Sequence, residues 1–433
     1  MITKLKGTRD LNPKDAAIIE LIRSVFMQHT KWFNFNYIET PIIENSQLYK
    51  RSVAGSDIVK KEMYEFKDKG ERDVALRPEG TAGFVRALIE EKWYATLKTP
   101  KFAYFGPMFR YEQPQKGRQR QFYQAGVEYI GDANEYIDAE LIQMAQNILK
   151  VLDVSTILKI NSIGDSKSRQ NYQKILKEYF LKYKDQLSEL SQERLENNVL
   201  RILDDKIESK KDFVKKAPKI NQYLSEKSKK YFNNLLRILD EIGVKYQIDY
   251  SLVRGLDYYD EVVYEFVSQS KNAGSQATVI GGGRYSNLIN ELGGPKVSSS
   301  GWGFGIDRTA EIISEENIEI NNNDIEKIDI FISSTNKNNK TKLFGLANEL
   351  RSYGIKIEFN KEVQKTKKIF DKAKKHGSNF VIFDDEMIGK NMFVAKHINS
   401  NDKINFTLTE DGFYDLLDFL SSNGIEQLLD IDE

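Results

Sequence analysis

Apolar positions along this chain follow two periods, and the switches between them mark out the elements. Behind Asn12-Pro13, a helix cap and a first-turn proline, Ile18, Leu21, Ile22, Val25 and Trp32 recur at helical spacing. A short strand at 37–41 should follow and stop at Pro41. Val74, Ala75 and Leu76 read as a strand and the residues from about Ala82 as a helix. Thr81 stands where that helix is capped, and Glu79 falls in the loop before it. The most informative pattern lies between 102 and 131. Phe102, Tyr104, Phe105 and Met108 lead into Phe109-Arg110-Tyr111-Glu112, and Phe122 to Ile130 follow a polar, basic stretch. Two antiparallel strands joined by a loop at 113–120 are expected. Alternation puts Arg110 and Glu112 on one face, and Gln124, Gly126 and Glu128 on one face of the second strand. Such a polar floor is costly to bury unless a polar ligand lies on it, and Gly126 leaves room for one. It suits a small zwitterion beside a phosphate.

Residues 135–152 read as a helix and 158–163 as a strand. From about 168 to 240 the chain is rich in Lys, Glu, Leu and Tyr and nearly lacks Gly, which indicates a helical insertion. Its lysines (Lys206, Lys210, Lys211, Lys215, Lys216, Lys219) fit either a solvated face or a nucleic-acid patch. Strand character returns at 246–253, 261–268 and 276–281, and Gly281-Gly282-Gly283 leads towards a helix ending at Leu292. A glycine-rich strand, 300–308, precedes a helix at 309–314. The asparagine-rich stretch 315–327 reads as a linker. Strands at 328–332, 355–359, 379–383 and 391–396 then alternate with helices near 340–351 and 363–375, the pattern of a separate α/β domain.

Composition narrows the chemistry. Lys+Arg and Asp+Glu are both 64 in 433 residues, so any nucleic-acid contact must come from local patches. Cysteine is absent, which excludes disulfides, thiol catalysis and cysteine-ligated zinc. His29, His376 and His397 are the only histidines and lie far apart, which argues against a histidine metal site or a Ser–His–Asp triad. Carboxylates, Arg and Lys remain. The first residues show no apolar signal segment and no apolar run approaches membrane-spanning length, so a cytoplasmic protein with no membrane partner is expected.

Six stretches carry a resemblance to the histidyl-tRNA synthetases, which are class II aminoacyl-tRNA synthetases. They are KGTRDLNP (6–13), LRPEGTAGFVRA (76–87), GPMFRYEQPQKGRQRQFYQAGVEYIG (106–131), LVRGLDYYDEVVYEF (252–266), GGGRYSNLI (281–289) and GWGFGIDR (301–308). The fourth is similar to a motif particular to the histidine enzymes. The resemblance implies an α+β fold: a catalytic domain at 1–318 with an antiparallel sheet of six or seven strands, flanking helices and the insertion at about 168–240. A linker at 319–326 and an anticodon-binding α/β domain at 327–433 follow. It also implies a homodimer, through the helix and strand ending at Pro41.

By the same resemblance the substrates are histidine, ATP with Mg2+, and tRNA(His), and no zinc is required. Arg110 is expected at the α-phosphate and at the bound histidine, and Arg308 at the γ-phosphate. Arg254 is expected to reach both the histidine carboxylate and the α-phosphate, as a catalytic residue with Arg110. Glu112 matches the adenine contact, and Arg118 lies in the loop that closes over ATP. Glu79, Thr81 and Gln124 match the ammonium site, Glu128 and Tyr259 the imidazole site, and Tyr258 and Tyr285 its lining. Arginine suits these roles because it stays charged and binds phosphate or carboxylate in a bidentate way. Two departures stand out. Gln113-Pro114 replaces the family's usual Arg-Pro, and Asp384-Asp385-Glu386 follows the third C-terminal strand, where glycine and glutamate are usual. Anticodon contacts therefore cannot be carried over by residue. Lys365, Lys367, Lys368, Lys372 and Lys374 fit either phosphate contacts or a solvated helix face. A non-catalytic paralogue, the regulatory subunit of ATP phosphoribosyltransferase, is expected to lack Arg254 and the C-terminal domain, and both are here.

Overall fold

Strands that alternate small residues with large ones build the centre of the fold. The computed structural model describes residues 1–52, 58–112, 118–203, 205, 207–252, 258–270, 277–316, 328–385, 388–389 and 391–425. The chain divides into two units, Met1–Ile318 and Glu319–Glu433. The first contains β1 (Asn36–Tyr37), β2 (Ile43–Asn45), β3 (Glu65–Lys67), β4 (Asp73–Leu76), β5 (Lys101–Phe109), β6 (Gln121–Ile130), β7 (Thr156–Gly164), β8 (Tyr246–Ile248), β9 (Asp260–Ser268), β10 (Thr278–Arg284) and β11 (Ser299–Gly305). Eight of these form one sheet in the order β1-β5-β6-β11-β10-β9-β7-β8, and β2-β4-β3 form a small one. The six long strands pair antiparallel. The short edge strands β1 and β8 pair parallel, which brings the total to eight, above the six or seven expected. At two and three residues they are too short to show alternation.

Register assigns the two faces. Phe102, Glu128 and Gly301 lie side by side, as do Tyr104, Gly126 and Gly303, and then Gly106, Gln124 and Gly305. The residues between them, Ala125, Val127, Trp302 and Phe304, are buried on the other face. That face is covered by helix Pro13–Trp32, whose Phe26 ring meets Trp302 at 6.1 Å, and by helix Glu135–Val151, whose Leu141 carbonyl accepts the Trp302 indole N–H at 3.0 Å. A charged hub sits on the second of these helices. Asp138 accepts from Arg284 at 2.8 Å, from Ser300 at 2.7 Å and from the Tyr231 hydroxyl at 2.6 Å, and both members of the ion pair are fully buried. Removing either partner strands a buried charge, at a cost of about 3–5 kcal/mol.

Tyr231 belongs to helix Glu226–Glu241, so the hub also ties down the helical insertion. The insertion has helices Ser166–Leu181 and Glu189–Asn197, short helical turns and an apolar cluster of its own, including Leu176, Phe180, Leu195 and Ile202. Of its lysines, Lys211 bonds the Gln186 carbonyl and Glu208, and Lys206 lies outside the described residues.

Several boundaries differ from expectation. The strand at 37–41 is only Asn36–Tyr37, and 246–253 yields only Tyr246–Ile248. The triple glycine lies inside β10, and the helix after it is a single turn, Leu288–Glu291. The helix expected at 309–314 starts at Ile306, which puts Arg308 in its first turn instead of on a strand.

The second unit is a five-stranded mixed sheet of β12 (Ile330–Ile332), β13 (Ile357–Phe359), β14 (Phe380–Asp384), β15 (Phe393–His397) and β16 (Lys403–Phe406), in the order β13-β12-β14-β15-β16. The first three are parallel, and β15 and β16 join antiparallel. Helices Lys337–Ser352, Thr366–Lys375 and Glu410–Ser422 accompany it, and Leu343, Leu350, Phe380 and Leu416 share its core. β16 and the last helix were not foreseen. The expected linker at 319–326 lies outside the described residues.

Candidate active site

The site begins at the start of helix Thr81–Glu90. The Glu79 carboxylate accepts from the backbone N–H groups of Thr81 and Ala82, both at 2.7 Å. Glu79, from the loop before the helix, thus satisfies two of its open N–H groups, the capping role expected of Thr81, and it is buried. The Thr81 hydroxyl donates instead to Glu128 at 2.8 Å. The other Glu128 oxygen accepts from the Tyr285 hydroxyl at 2.5 Å, and Tyr104 approaches at 3.5 Å. Tyr258 lies 4.7 Å from Tyr259 and 5.6 Å from Tyr285, ring centre to ring centre. The result is a buried cluster of two carboxyl groups and four phenol rings, with no cation bonded to Glu128 among the described contacts.

Burial sets the charge state there. It pushes the Glu128 carboxyl up to about 8; the Tyr285 and Thr81 hydroxyls pull it back, and the neighbouring Glu79 pushes it further. Burial also raises Glu79, against the opposing pull of its two backbone donors and of Arg110. Glycine makes the room. A Cβ on Gly301 would lie 2.1 Å from a Glu128 oxygen, and one on Gly126 would lie 2.4 Å from the Tyr104 ring. Gln124 lies on the same face, with its amide nitrogen against Gly303.

Next to this pocket, arginines gather. Arg110 Nε donates to the Pro78 carbonyl at 2.9 Å, directly before Glu79, and its guanidinium lies 3.9 Å from Glu112. Arg118 pairs with the other Glu112 oxygen at 2.6 Å. Arg308 donates to the Thr278 carbonyl at 2.5 Å. Its pKa lies below the usual guanidinium range, through burial first and the Arg118 charge second; Glu112 and Glu311 oppose this, and Arg110 adds a smaller push. The like charges of Arg118 and Arg110 thus both act on Arg308, a field that favours a polyanion. Arg254 lies outside the described residues.

The histidyl-tRNA synthetase family matches residues 7–309. The histidine–tRNA ligase of Mycoplasmopsis pulmonis is 43% identical over 424 residues, 97% of this chain and 99% of its own length. The chain belongs to the histidyl-tRNA synthetase family. A second histidine–tRNA ligase, from Lactobacillus delbrueckii subsp. bulgaricus, is 43% identical over 88% of this chain and 90% of its own. Among solved structures, apo histidyl-tRNA synthetase from S. aureus matches with a TM-score of 0.80 at 33% identity, covering 96% of this chain and 99% of that one. Its fold is that of a histidyl-tRNA synthetase, dominated by the antiparallel sheet.

Four residues of the site were not singled out from the sequence of this synthetase: Tyr104, Arg120, Arg9 and Asp307. Tyr104 reads as a core aromatic, yet its ring crosses Gly126 and its hydroxyl faces Glu128. The large-beside-glycine pairing across the hairpin was the available signal. Arg120 lies with its guanidinium 3.9 Å over the Tyr111 ring. Arg9 and Asp307 bond each other across 298 positions, for which no local pattern exists. Among the described residues, no group of three His, Cys, Asp or Glu side chains is placed to hold a metal, and no helix is long and apolar enough to cross a membrane.

Proposed function

We propose that this protein joins histidine to tRNA(His) in two steps, with ATP as its magnesium complex. The histidine carboxylate attacks the α-phosphorus, the bond to the β-phosphate breaks, and pyrophosphate leaves histidyl-adenylate behind. The terminal ribose hydroxyl of the tRNA then attacks the activated carbonyl and AMP departs. No enzyme nucleophile is needed, so the barrier falls through positioning and charge neutralisation at phosphorus.

The observation that carries this reading is the convergence of Arg110, Arg118 and Arg308 beside the buried Glu79–Glu128 cluster. Arg110 and Arg308 take the α- and γ-phosphates, Glu112 the adenine, and Arg118 exchanges its Glu112 partner for the nucleotide. Arg254 bridges the histidine carboxylate and the α-phosphate. Glu79, Thr81 and Gln124 receive the ammonium group. Glu128 and Tyr259 receive the imidazole, with Tyr258 and Tyr285 around it. A carboxyl group already bonded to Thr81 and Tyr285 is fixed in place before the ligand arrives, which favours discrimination: an analogue lacking the ring N–H leaves it unpaired.

Exposed Trp32, Tyr37, Ile42 and Ile43 follow one another at the end of the first helix and beyond, an apolar surface that a second copy of the chain covers in the homodimer. The 327–433 domain binds the anticodon, and the protein works in the cytoplasm. The decisive measurement is ATP–pyrophosphate exchange against a panel of amino acids. Histidine alone should support exchange; exchange with another amino acid and none with histidine defeats the reading.

A further inference from the structure

We infer that residues 7–10 form a clamp that positions both phosphate-facing arginines, acting through the Arg9–Asp307 pair. The inference rests on the reading that ATP lies against Arg110 and Arg308. Arg9 meets one oxygen of Asp307 at 2.6 Å, and the backbone N–H of Tyr123 on β6 donates to the other at 2.5 Å. Both oxygens are thus used, by two segments far from Asp307 in sequence. Asp307 is buried in the first turn of helix Ile306–Glu315, next to Arg308. One carboxylate therefore joins the N-terminal segment, the second strand of the hairpin and the helix that carries Arg308.

The same segment reaches the other arginine. The Gly7 carbonyl accepts the Arg120 N–H at 2.7 Å, and the Arg120 carbonyl accepts the Arg110 N–H at 3.0 Å. A short stretch thus bonds within one residue of Arg308 and one backbone bond of Arg110. The Arg9 side chain is 25% exposed and that of Asp307 8%, so the pair is shielded from water and holds more firmly than a surface ion pair. Glu79, Thr81, Glu128 and Tyr285 are held by a separate chain of hydrogen bonds. Gln124, next to Tyr123, is the one amino-acid contact near the clamp, so loosening it should disturb the nucleotide far more than the amino acid.

Exchange kinetics on the full chain, with ATP and histidine varied separately, test this. Arg9→Met keeps the aliphatic stem and removes the charge; it should lower kcat/KM for ATP about tenfold and leave KM for histidine within about twofold. Arg9→Lys should recover most of the loss. Lys4→Ala, which breaks only the exposed Lys4–Asp10 pair, should behave as the unaltered chain. Asp307→Asn should not add to Arg9→Met. Equal rises in both KM values, a fall in kcat with both KM values unchanged, or full additivity overturns the clamp. Failure of the unaltered chain to exchange with histidine is a different result: it sinks the ATP reading itself.

Discussion

Glu128 concentrates the acid–base behaviour of the pocket in one residue. Its carboxyl rises from 4.5 to about 8, whereas free imidazole titrates near ~6.5. At pH 7 the empty pocket therefore holds a proton and the incoming histidine ring does not. With Glu128 at the imidazole, as proposed, one proton serves both groups in the complex, whichever of them carries it. Below about pH 6.5 the ligand arrives with a second proton that must be shed, and above about 8 the shared proton must come from solvent. Histidine affinity measured by calorimetry should peak between these values. Glu128→Gln should weaken binding about ten- to a hundredfold, the loss of a hydrogen bond to a charged group, and should abolish the alkaline limb. A flat profile from pH 6 to 9 defeats the shared proton. Stability of the empty protein follows from the same shift. Folding raises this pKa, so the folded chain keeps a proton that the unfolded chain releases. The stabilisation is complete below about 4.5 and is lost as pH rises through about 8. The melting temperature should therefore fall more between pH 6 and 9 in the unaltered chain than in Glu128→Gln.

At the scale of elements, β11 supplies the space that β6 fills. A methyl group at 301 meets the Glu128 carboxylate at 2.1 Å and the Val127 carbonyl at 2.3 Å, and the second neighbour is backbone that cannot step aside. Gly301→Ala should cost about 1–3 kcal/mol of stability by overpacking and should also weaken histidine binding. Gly345→Ala is the contrast. That glycine lies exposed inside helix Lys337–Ser352 with nothing within 4 Å of the added carbon. It should gain about 0.5–1 kcal/mol and leave exchange unchanged. Paired melting and kinetic measurements check both. What was legible in the sequence follows the same division. The hairpin was readable because period-two alternation runs along one segment, and the first helix because its cap and apolar spacing are local. The helix cap was assigned to Thr81 because Ser, Thr, Asp and Asn are the usual caps, whereas here a Glu two residues earlier reaches both N–H groups. Bonds between elements left no trace. Asp138 and Arg284 are 146 positions apart and Arg9 and Asp307 298, and only the folded chain brings them together. Edge strands of two or three residues were unreadable for want of length.

At the scale of the whole molecule, the two units bury separate cores. Phe84, Phe102, Val263 and Ile289 belong to one, and Ile330, Leu346, Phe380 and Leu416 to the other. The arginine cleft and the Glu128 pocket draw their described residues from the first unit alone, between Glu79 and Arg308. The second presents Lys365, Lys367, Lys368 and Lys374 on the outside of a helix whose inner side buries Ile369 and Ala373. A tRNA held at both units gains from linkage, since the second contact becomes intramolecular and raises binding by about 10²–10⁴. Ending the chain at residue 318 should therefore separate the two half-reactions. Histidine-dependent pyrophosphate exchange should persist near its full rate, because every described group proposed to meet ATP or histidine remains. Charging of tRNA(His) at limiting tRNA should fall about a hundredfold or more, and saturating tRNA should restore part of it. Loss of exchange in a truncated chain that still melts cooperatively means that the second unit shapes the active site. Undiminished charging means that it contributes nothing to holding the tRNA.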